Sequence, residues 1–333
     1  MDMLSTLRII DFGEVSALRS QTLWHAVAHG VSAGSPPTLS FMEPTEPYVS
    51  IGFHRSSKEL DPTVCGPGGL PVFRRMVGGG PVYIDRGQLF FQVVIPEAMT
   101  PARRGDAVRW LLEPAVTAFR DVGIAAELDD RNEVVLGDRK ICGHAGGQIE
   151  QAVVVVGNVI NSFDHEMAAS VVRAPSPRAR EEFLRQMKRF VTPTPTDFGA
   201  FIEAAGQRYA EALGLKPFPD DLSATERRHL AELDELFVDP GWIRGVDRRS
   251  NGWWLAKVKS GVWVGHGSSN GHRVTVAFEG DRICALNVDL EDGSRADLEI
   301  SSPRSIEEMV ETLGEVDPGV ADLILEMAAR PPA

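Results

Sequence analysis

The sequence predicts an α+β protein, a mixed sheet flanked by helices and followed by a small C-terminal α+β domain. Apolar β-branched runs alternate with helix-period segments through the first half of the chain. From Trp253 to Ile300 the pattern changes to short alternating strands joined by Ser-Gly, Asn-Gly, Glu-Gly and Asp-Gly turns, a hairpin series. The 333 residues also exceed the ~250–300 at which a single core stops growing, so two domains are expected.

Residues 7–10, 39–42, 48–51, 72–73, 82–84 and 89–95 read as strands, the last stopped by Pro96. Val108, Leu111, Leu112, Ala115, Val116 and Phe119 recur at three-and-four spacing, which predicts an amphipathic helix over 107–122. Residues 133–136 and 152–158 are strands bracketing a lysine turn, so Lys140 sits on or beside a strand. Residues 178–191 form a strongly charged helix, and Pro193-Thr194-Pro195-Thr196 is an extended connector. Residues 198–213 return to helix and end at Gly214, a C-cap. Thr225 or Ser223 caps a helix over 225–237, and helices over 305–313 and 320–329 close the chain. The implied division is a main domain over 1–218, a helical linker over 219–250 and an accessory domain over 251–333.

Hydrophobic content of 43% and charged content of 24% are those of an ordinary globular protein. The formal charge of −13, from 34 basic and 47 acidic residues, argues against nucleic acid as partner, since phosphate contacts need a positive face. No run approaches the ~18 apolar residues of a membrane span, and the N-terminus lacks a signal-peptide pattern. Cys65, Cys142 and Cys284 are odd in number, with no C-x-x-C pair. They point to a reducing cytoplasm, without disulfides or structural zinc.

Chemistry concentrates in two stretches. In Arg74-Arg75-Met76-Val77-Gly78-Gly79-Gly80-Pro81-Val82-Tyr83-Ile84-Asp85, triple glycine lets backbone approach a ligand closely and frees amides to point at carboxylate or phosphate oxygens. It matches neither a P-loop nor a dinucleotide-binding turn, and an exposed hairpin loop is the plain alternative. Arg131-Asn132-Glu133-Val134-Val135-Leu136-Gly137-Asp138-Arg139-Lys140-Ile141-Cys142-Gly143 supplies a lysine closed by glycine. An ε-ammonium there can meet both a substrate carboxylate and a nucleotide α-phosphate, so the pair of motifs suggests carboxylate activation. Asp138 and Asn132 are candidates for a divalent cation on the triphosphate, or for turn chemistry alone. His144 follows closely enough to line the pocket, with a solvated loop histidine as the equal alternative. Cys142 reads as a small packed residue, although a nucleophile is conceivable. His25 and His29, four apart on a helix, form only a weak metal pair. Arg178, Arg180, Arg185, Lys188 and Arg189 make one helix basic, either a solvated face or a surface that steers an acidic partner domain.

As a set these residues resemble the lipoate-protein ligase branch of the biotin and lipoate ligase superfamily. Its members carry R-R-x-x-G-G-G-x-V-Y-x-D and then a segment like R-N-D…G-D-R-K-I-S-G, matched here by 74–85 and 131–143. Val49-Ser50-Ile51-Gly52-Phe53-His54 looks like the family's S-I-G-x-x-Q strand end. The resemblance covers roughly residues 7–215, and more loosely the accessory domain. It implies a mixed sheet of biotin/lipoate ligase type and a tunnel for lipoate or a similar medium-chain acid. ATP and Mg2+ would activate the acid to an acyl adenylate, which passes to a lysine of a lipoyl-acceptor protein domain. It further implies that Arg74, Arg75, Gly78, Gly79, Gly80, Val82, Tyr83, Gly143 and His144 line the substrate pocket. Asp85, Asn132, Asp138 and the catalytic Lys140 would face the nucleotide, with Asp138 on the metal. The chain departs from the family at Cys142 for Ser, Val156-Gly157-Asn158 for His-Gly-Thr, Pro81 for Ala and Gln88 for Asn, each at the pocket wall. An ATP-independent octanoyl or lipoyl transferase using Cys142, or a non-catalytic lipoate-binding relative, are the alternatives.

Overall fold

The computed structural model describes residues 5–245, 252–290, 294–298, 303–314 and 317–330. They fall into two compact units, 1–164 with 192–247, and 165–191 with 248–333.

In the first unit β1 (Thr6–Val15) leads into α1 (Ala17–His29), capped by the Ser16 hydroxyl. There follow β2 (Thr38–Pro44), β3 (Tyr48–Ile51), β4 (Val72–Arg74), β5 (Val82–Ile84), β6 (Gln88–Pro96) and α2 (Arg104–Asp121). The chain continues through β7 (Glu127–Leu128), β8 (Val134–Leu136), β9 (Arg139–Cys142), β10 (His144–Ile149) and β11 (Ala152–Ile160). It leaves for α3 (His165–Ser170) and α4 (Pro177–Phe190), then returns as α5 (Phe198–Leu213), β12 (Lys216–Pro219), α6 (Ala224–Phe237) and α7 (Pro240–Arg244).

The main sheet has the order β10-β11-β6-β2-β1-β12, with β1 parallel to both its neighbours and the other pairs antiparallel. Pro217 and Pro219 are tolerated in β12 because it is an edge strand. One face packs Phe91 and Val155 against Phe119 of α2 and Phe201 and Tyr209 of α5. The other packs Val94 and Val154 against Trp24 and Val27 of α1. β4-β3-β5 and β7-β8-β9 are two small three-stranded sheets, and they carry the two sequence motifs.

The helix over 224–237 was expected in a linker, yet it belongs to this core. Ser223 and Glu226 form a capping box, and the buried Arg8 guanidinium donates to Glu226 at 2.7 Å and to Asp220 at 2.7 Å. Strand β10 escaped the sequence reading because His-Ala-Gly-Gly-Gln-Ile has no apolar alternation. It forms by pairing with β11 along its whole length.

The second unit is a five-stranded antiparallel meander, β13 (Trp254–Lys259), β14 (Val262–Ser269), β15 (His272–Glu279), β16 (Arg282–Asp289) and β17 (Arg295–Leu298), with β18 (Arg304–Ser305) paired to β16. Helices α8 (Ile306–Gly314) and α9 (Pro318–Ala328) supply Met309, Leu323, Ile324 and Met327 to a core with Trp263, Val276 and Phe278. The expected Asp292-Gly293 turn and strand end at Ile300 lie outside the described residues. Helix α4, expected in the main domain, packs instead on β13, β14 and β15. Its apolar stripe of Ala179, Phe183, Met187 and Phe190 requires a partner surface, and the C-terminal sheet provides it. Its basic residues are largely neutralised: Arg178 meets Asp289, Arg185 meets Glu182, Lys188 meets Glu166 and Arg189 meets Glu279. A strongly positive steering face is therefore not what this helix presents.

Candidate functional site

Two adjacent arginines stand at the end of β4, Arg74 its last residue and Arg75 the next, and their surroundings separate them. The Arg74 side chain is buried and donates to four carbonyls, those of Gly52, Phe53, Trp242 and Ile243, at 2.6–3.1 Å. The Trp242 indole donates back to the Arg74 carbonyl at 3.0 Å. Arg74 thus pins α7 to the start of the glycine loop, and the substrate contact expected of it is corrected to a structural one.

Arg75 is also buried, and its guanidinium turns the other way. It donates to the carbonyls of Ser50 (2.9 Å), Gly78 (2.8 Å) and Gly80 (2.9 Å), and to the Ser50 hydroxyl. Burial lowers its pKa to about 10, still a cation at neutral pH. Since Phe53 also takes the Val77 carbonyl, the loop's carbonyl groups are drawn inward. Among the described residues the amides of Gly78, Gly79 and Gly80 donate to no protein acceptor. Gly79 requires glycine because its φ is +97°, and a Cβ on Gly80 would meet nothing within 4 Å. A Cβ on Gly52 would collide with the Gly79 carbonyl oxygen, so the earlier S-I-G segment is the seat of the loop.

Residues the sequence reading missed hold this loop from behind. Ser20 and Gln21 of α1 both donate to the buried Tyr48 hydroxyl at 2.7 and 2.8 Å, and Ser50 donates to Gln21 at 3.1 Å. His25 has no exposed surface; its Nε2 accepts from the Met76 amide at 2.9 Å, so Nδ1 carries the proton and donates to the Gln21 carbonyl. Both ring nitrogens are used, which corrects the idea of a His25–His29 metal pair. Only a histidine spaced to reach the loop from α1 could have signalled this, and helix periodicity alone does not show that.

Burial lowers His25 to about 3, which gives a pH prediction. The unfolded chain binds this proton below about 6.5 and the folded one does not, so stability is full above 6.5 and falls as pH drops towards 3. Between pH 7 and 5 the loss from this group should be about 2 kcal/mol. Urea unfolding of wild type and His25→Gln at the two pH values checks it: the mutant should lack that part of the pH dependence.

The second motif is the β8–β9 hairpin, in which Lys140 lies opposite Val135. The Lys140 side chain is 16% exposed and its ammonium sits 2.7 Å from Oε2 of Glu133, whose side chain is 2% exposed; Nδ1 of His144 is 3.9 Å from the same oxygen. His144 opens β10, and the next residues of that strand reach the glycine loop. A Cβ on Gly79 would be 3.9 Å from Ala145 Cβ, and one on Gly147 would press on Val77. β10 therefore joins the two motifs.

A buried relay ties them again. The Gly143 amide donates to Asn158 Oδ1 (2.6 Å), Asn158 Nδ2 to Gln88 Oε1 (2.7 Å), and Gln88 Nε2 to Asp85 Oδ1 (3.3 Å). Gln88 and Asn158, two positions that depart from the family pattern, are thus hydrogen-bonded to each other. Burial first and then Asp85 raise the Tyr83 phenol to about 12, so it stays protonated.

Asp138 is exposed just past β8, and Asn132 precedes that strand with φ +60° and accepts from Arg109. A strand rise of ~3.3 Å per residue puts them more than ~10 Å apart. They do not share one cation, and Asn132 serves a turn. Cys142 is fully buried among Phe91, Phe119 and Tyr209, and burial pushes its thiol up to about 12. It is a packed residue.

Between the motifs lies a mainly apolar floor, whose polar members are Asn158 and the Ser40–Gln92 pair, hydrogen-bonded to each other at 2.7 Å. Registers place Ala145, Val156, Gln92 and Ser40 in one cross-strand row and Asn158, Phe90 and Met42 in the next. Phe90, Ala145, Val156 and Met76 are only partly buried there, joined by Val82. An apolar surface ending at a lysine and open amides suits an acid with a hydrocarbon chain.

A mixed sheet carrying such a site suits an enzyme that handles acyl groups. The chain belongs to the lipoyl protein ligase A/B catalytic domain family, whose pattern matches residues 17–196. Octanoyltransferase LipM of Kyrpidia tusciae is 27% identical over 271 residues, covering 72% of this chain and 98% of that protein. Lipoate-protein ligase A subunit 1 of Thermoplasma acidophilum is 24% identical over 240 residues, covering 67% and 90%. Among solved structures, the bipartite lipoate protein ligase of T. acidophilum superposes with a TM-score of 0.67 at 23% identity, over 74% of this chain and 99% of that one. LipL1 of P. falciparum, solved with lipoate, superposes with a TM-score of 0.55 at 12% identity over 97% of this chain and 98% of its own. At these identities the superpositions bear on fold.

Proposed function

We propose that this protein activates lipoate or a similar medium-chain acid with MgATP and transfers the acyl group to a lysine of a lipoyl-acceptor domain. The observation that carries this reading is the glycine loop. Arg75 holds its carbonyls, leaving three amides open beside the Lys140 hairpin, an arrangement for oxyanions. In the first step a carboxylate oxygen of the acid bonds to the α-phosphorus and pyrophosphate leaves. In the second the acceptor amine attacks the acyl carbonyl, the C–O bond to AMP breaks, and the amine proton passes to solvent. Lys140 stabilises charge at the phosphorus in the first step and at the carbonyl in the second. Magnesium would enter with the triphosphate as substrate, since it is held mainly by phosphate oxygens and water with at most one or two carboxylates. A structure described as lipoate-protein ligase A bound with ATP shares the fold, with a TM-score of 0.60.

Relatives named octanoyltransferases favour a second reading, acyl transfer from a carrier thioester without ATP. A cysteine-linked intermediate meets an obstacle, because Cys65, Cys142 and Cys284 are all buried and burial raises each thiol to about 11 or 12. Incubating the protein with MgATP and either lipoate or octanoate should yield pyrophosphate and an acyl adenylate detectable by mass, and Cys142→Ser should keep that yield within about 3-fold, since the buried hydroxyl can donate to the Gly143 carbonyl that the thiol already meets. Transfer from an octanoylated carrier without ATP, abolished in Cys142→Ser, would refute the reading.

A further inference from the structure

Glu133 is the one residue of the lysine hairpin whose carboxylate is sealed in the protein, and the activity proposed above does not yet use it. Its backbone is clamped in both directions by Asp129: the Glu133 amide donates to Asp129 Oδ1 at 2.8 Å, and the Asp129 amide to the Glu133 carbonyl at 3.0 Å. The strand bearing Lys140 is fixed as well, since the Thr192 amide donates to the Lys140 carbonyl at 2.9 Å. Two rigid backbones thus bring a 2%-exposed carboxylate to 2.7 Å from an ammonium on a four-carbon stem, with His144 3.9 Å from the same oxygen. A free lysine stem explores many rotamers, and holding it before the substrate arrives removes that cost from the reactive step. A sealed carboxylate also demands a cation, which keeps the ammonium in the site rather than in water.

We infer that Glu133 is a positioning residue, which acts through Lys140 by aiming the ammonium at the reacting carboxyl and phosphate, with His144 lying against the same anion. This rests on the ligase reading, and it assigns a role to a side chain outside the expected site.

The test is a double-mutant cycle on adenylate formation, measured as kcat and KM for MgATP with octanoate. Glu133→Gln keeps the shape and removes the charge. It should lower kcat by about 10- to 100-fold while changing KM for MgATP less than about 3-fold, the pattern of a misplaced catalytic group. Glu133→Asp, which keeps the charge, should recover about half or more of that loss on a logarithmic scale. In a Lys140→Ala background, Glu133→Gln should change the residual rate by less than about 2-fold, because a residue that works only through Lys140 has nothing left to aim.

Wild-type kcat in Glu133→Gln, or the same fold-loss with and without Lys140, overturns the inference while the ligase reading stands. Absence of adenylate from the wild-type protein overturns the reading and this inference together. If Glu133→Gln does not fold by circular dichroism, Glu133→Asp in the two backgrounds decides by the same comparison.

Discussion

Lys140→Ala is expected to reduce adenylate formation by about two to three orders of magnitude, the range seen when one preorganised donor to a developing oxyanion is removed. In the folded protein the Lys140 side chain is only 16% exposed, so its charge acts in surroundings of lower dielectric than water. The same substitution strands Glu133 without its cation, and a thermal melt should therefore fall as well. Lys140→Arg separates the two effects. It restores a positive partner for Glu133 and hence most of the lost melting temperature, but its planar fork places charge differently from a compact ammonium, so activity should remain depressed by about tenfold or more. Single-turnover formation of acyl adenylate, read by mass, checks the rate. Near wild-type rate in Lys140→Ala would remove this lysine from the chemistry.

Part of this site was legible in the sequence for a physical reason. Glycine clusters and a flanked lysine are local signals: the φ of +97° at Gly79 and the turn before Lys140 are properties of short segments. What stayed hidden depends on which atoms fold back. Arg74 and Arg75 are adjacent and chemically identical, yet one, the last residue of β4, goes to the α7 carbonyls and the other, just past the strand, into the glycine loop. The spacing of 168 residues between Arg74 and Trp242 carries no local trace. His25, Gln21 and Tyr48 likewise act on the loop only once α1 has docked behind it. At the level of fold, alternation found most strands. It missed β10, which is held by its neighbour rather than by its own pattern, and it placed α4 by sequence order rather than by the sheet its apolar stripe covers.

Arg75→Met should be among the most destabilising single changes in the first unit. Methionine fills similar space and cannot donate, so the carbonyls of Ser50, Gly78 and Gly80 lose their shared partner inside the protein. Each unsatisfied buried carbonyl costs about 1–3 kcal/mol, and because the exposed loop can turn one of them to water the total should be about 3–5 kcal/mol. For a unit of this size that corresponds to a fall in melting temperature of about 10 °C. Function should fail beyond what stability explains. Once the carbonyls are released, the peptide planes of Gly78–Gly80 rotate, and the amides no longer converge on one anion. Arg75→Lys should be intermediate in stability yet equally poor in adenylate formation, because a single ammonium cannot span carbonyls on both sides of the loop as the guanidinium fork does. Urea unfolding and adenylate yield, measured below the melting point of each variant, test the two halves separately. An unchanged urea midpoint in Arg75→Met would mean that the loop carbonyls find water without this arginine, and the account of how the amides are kept open would fall with it.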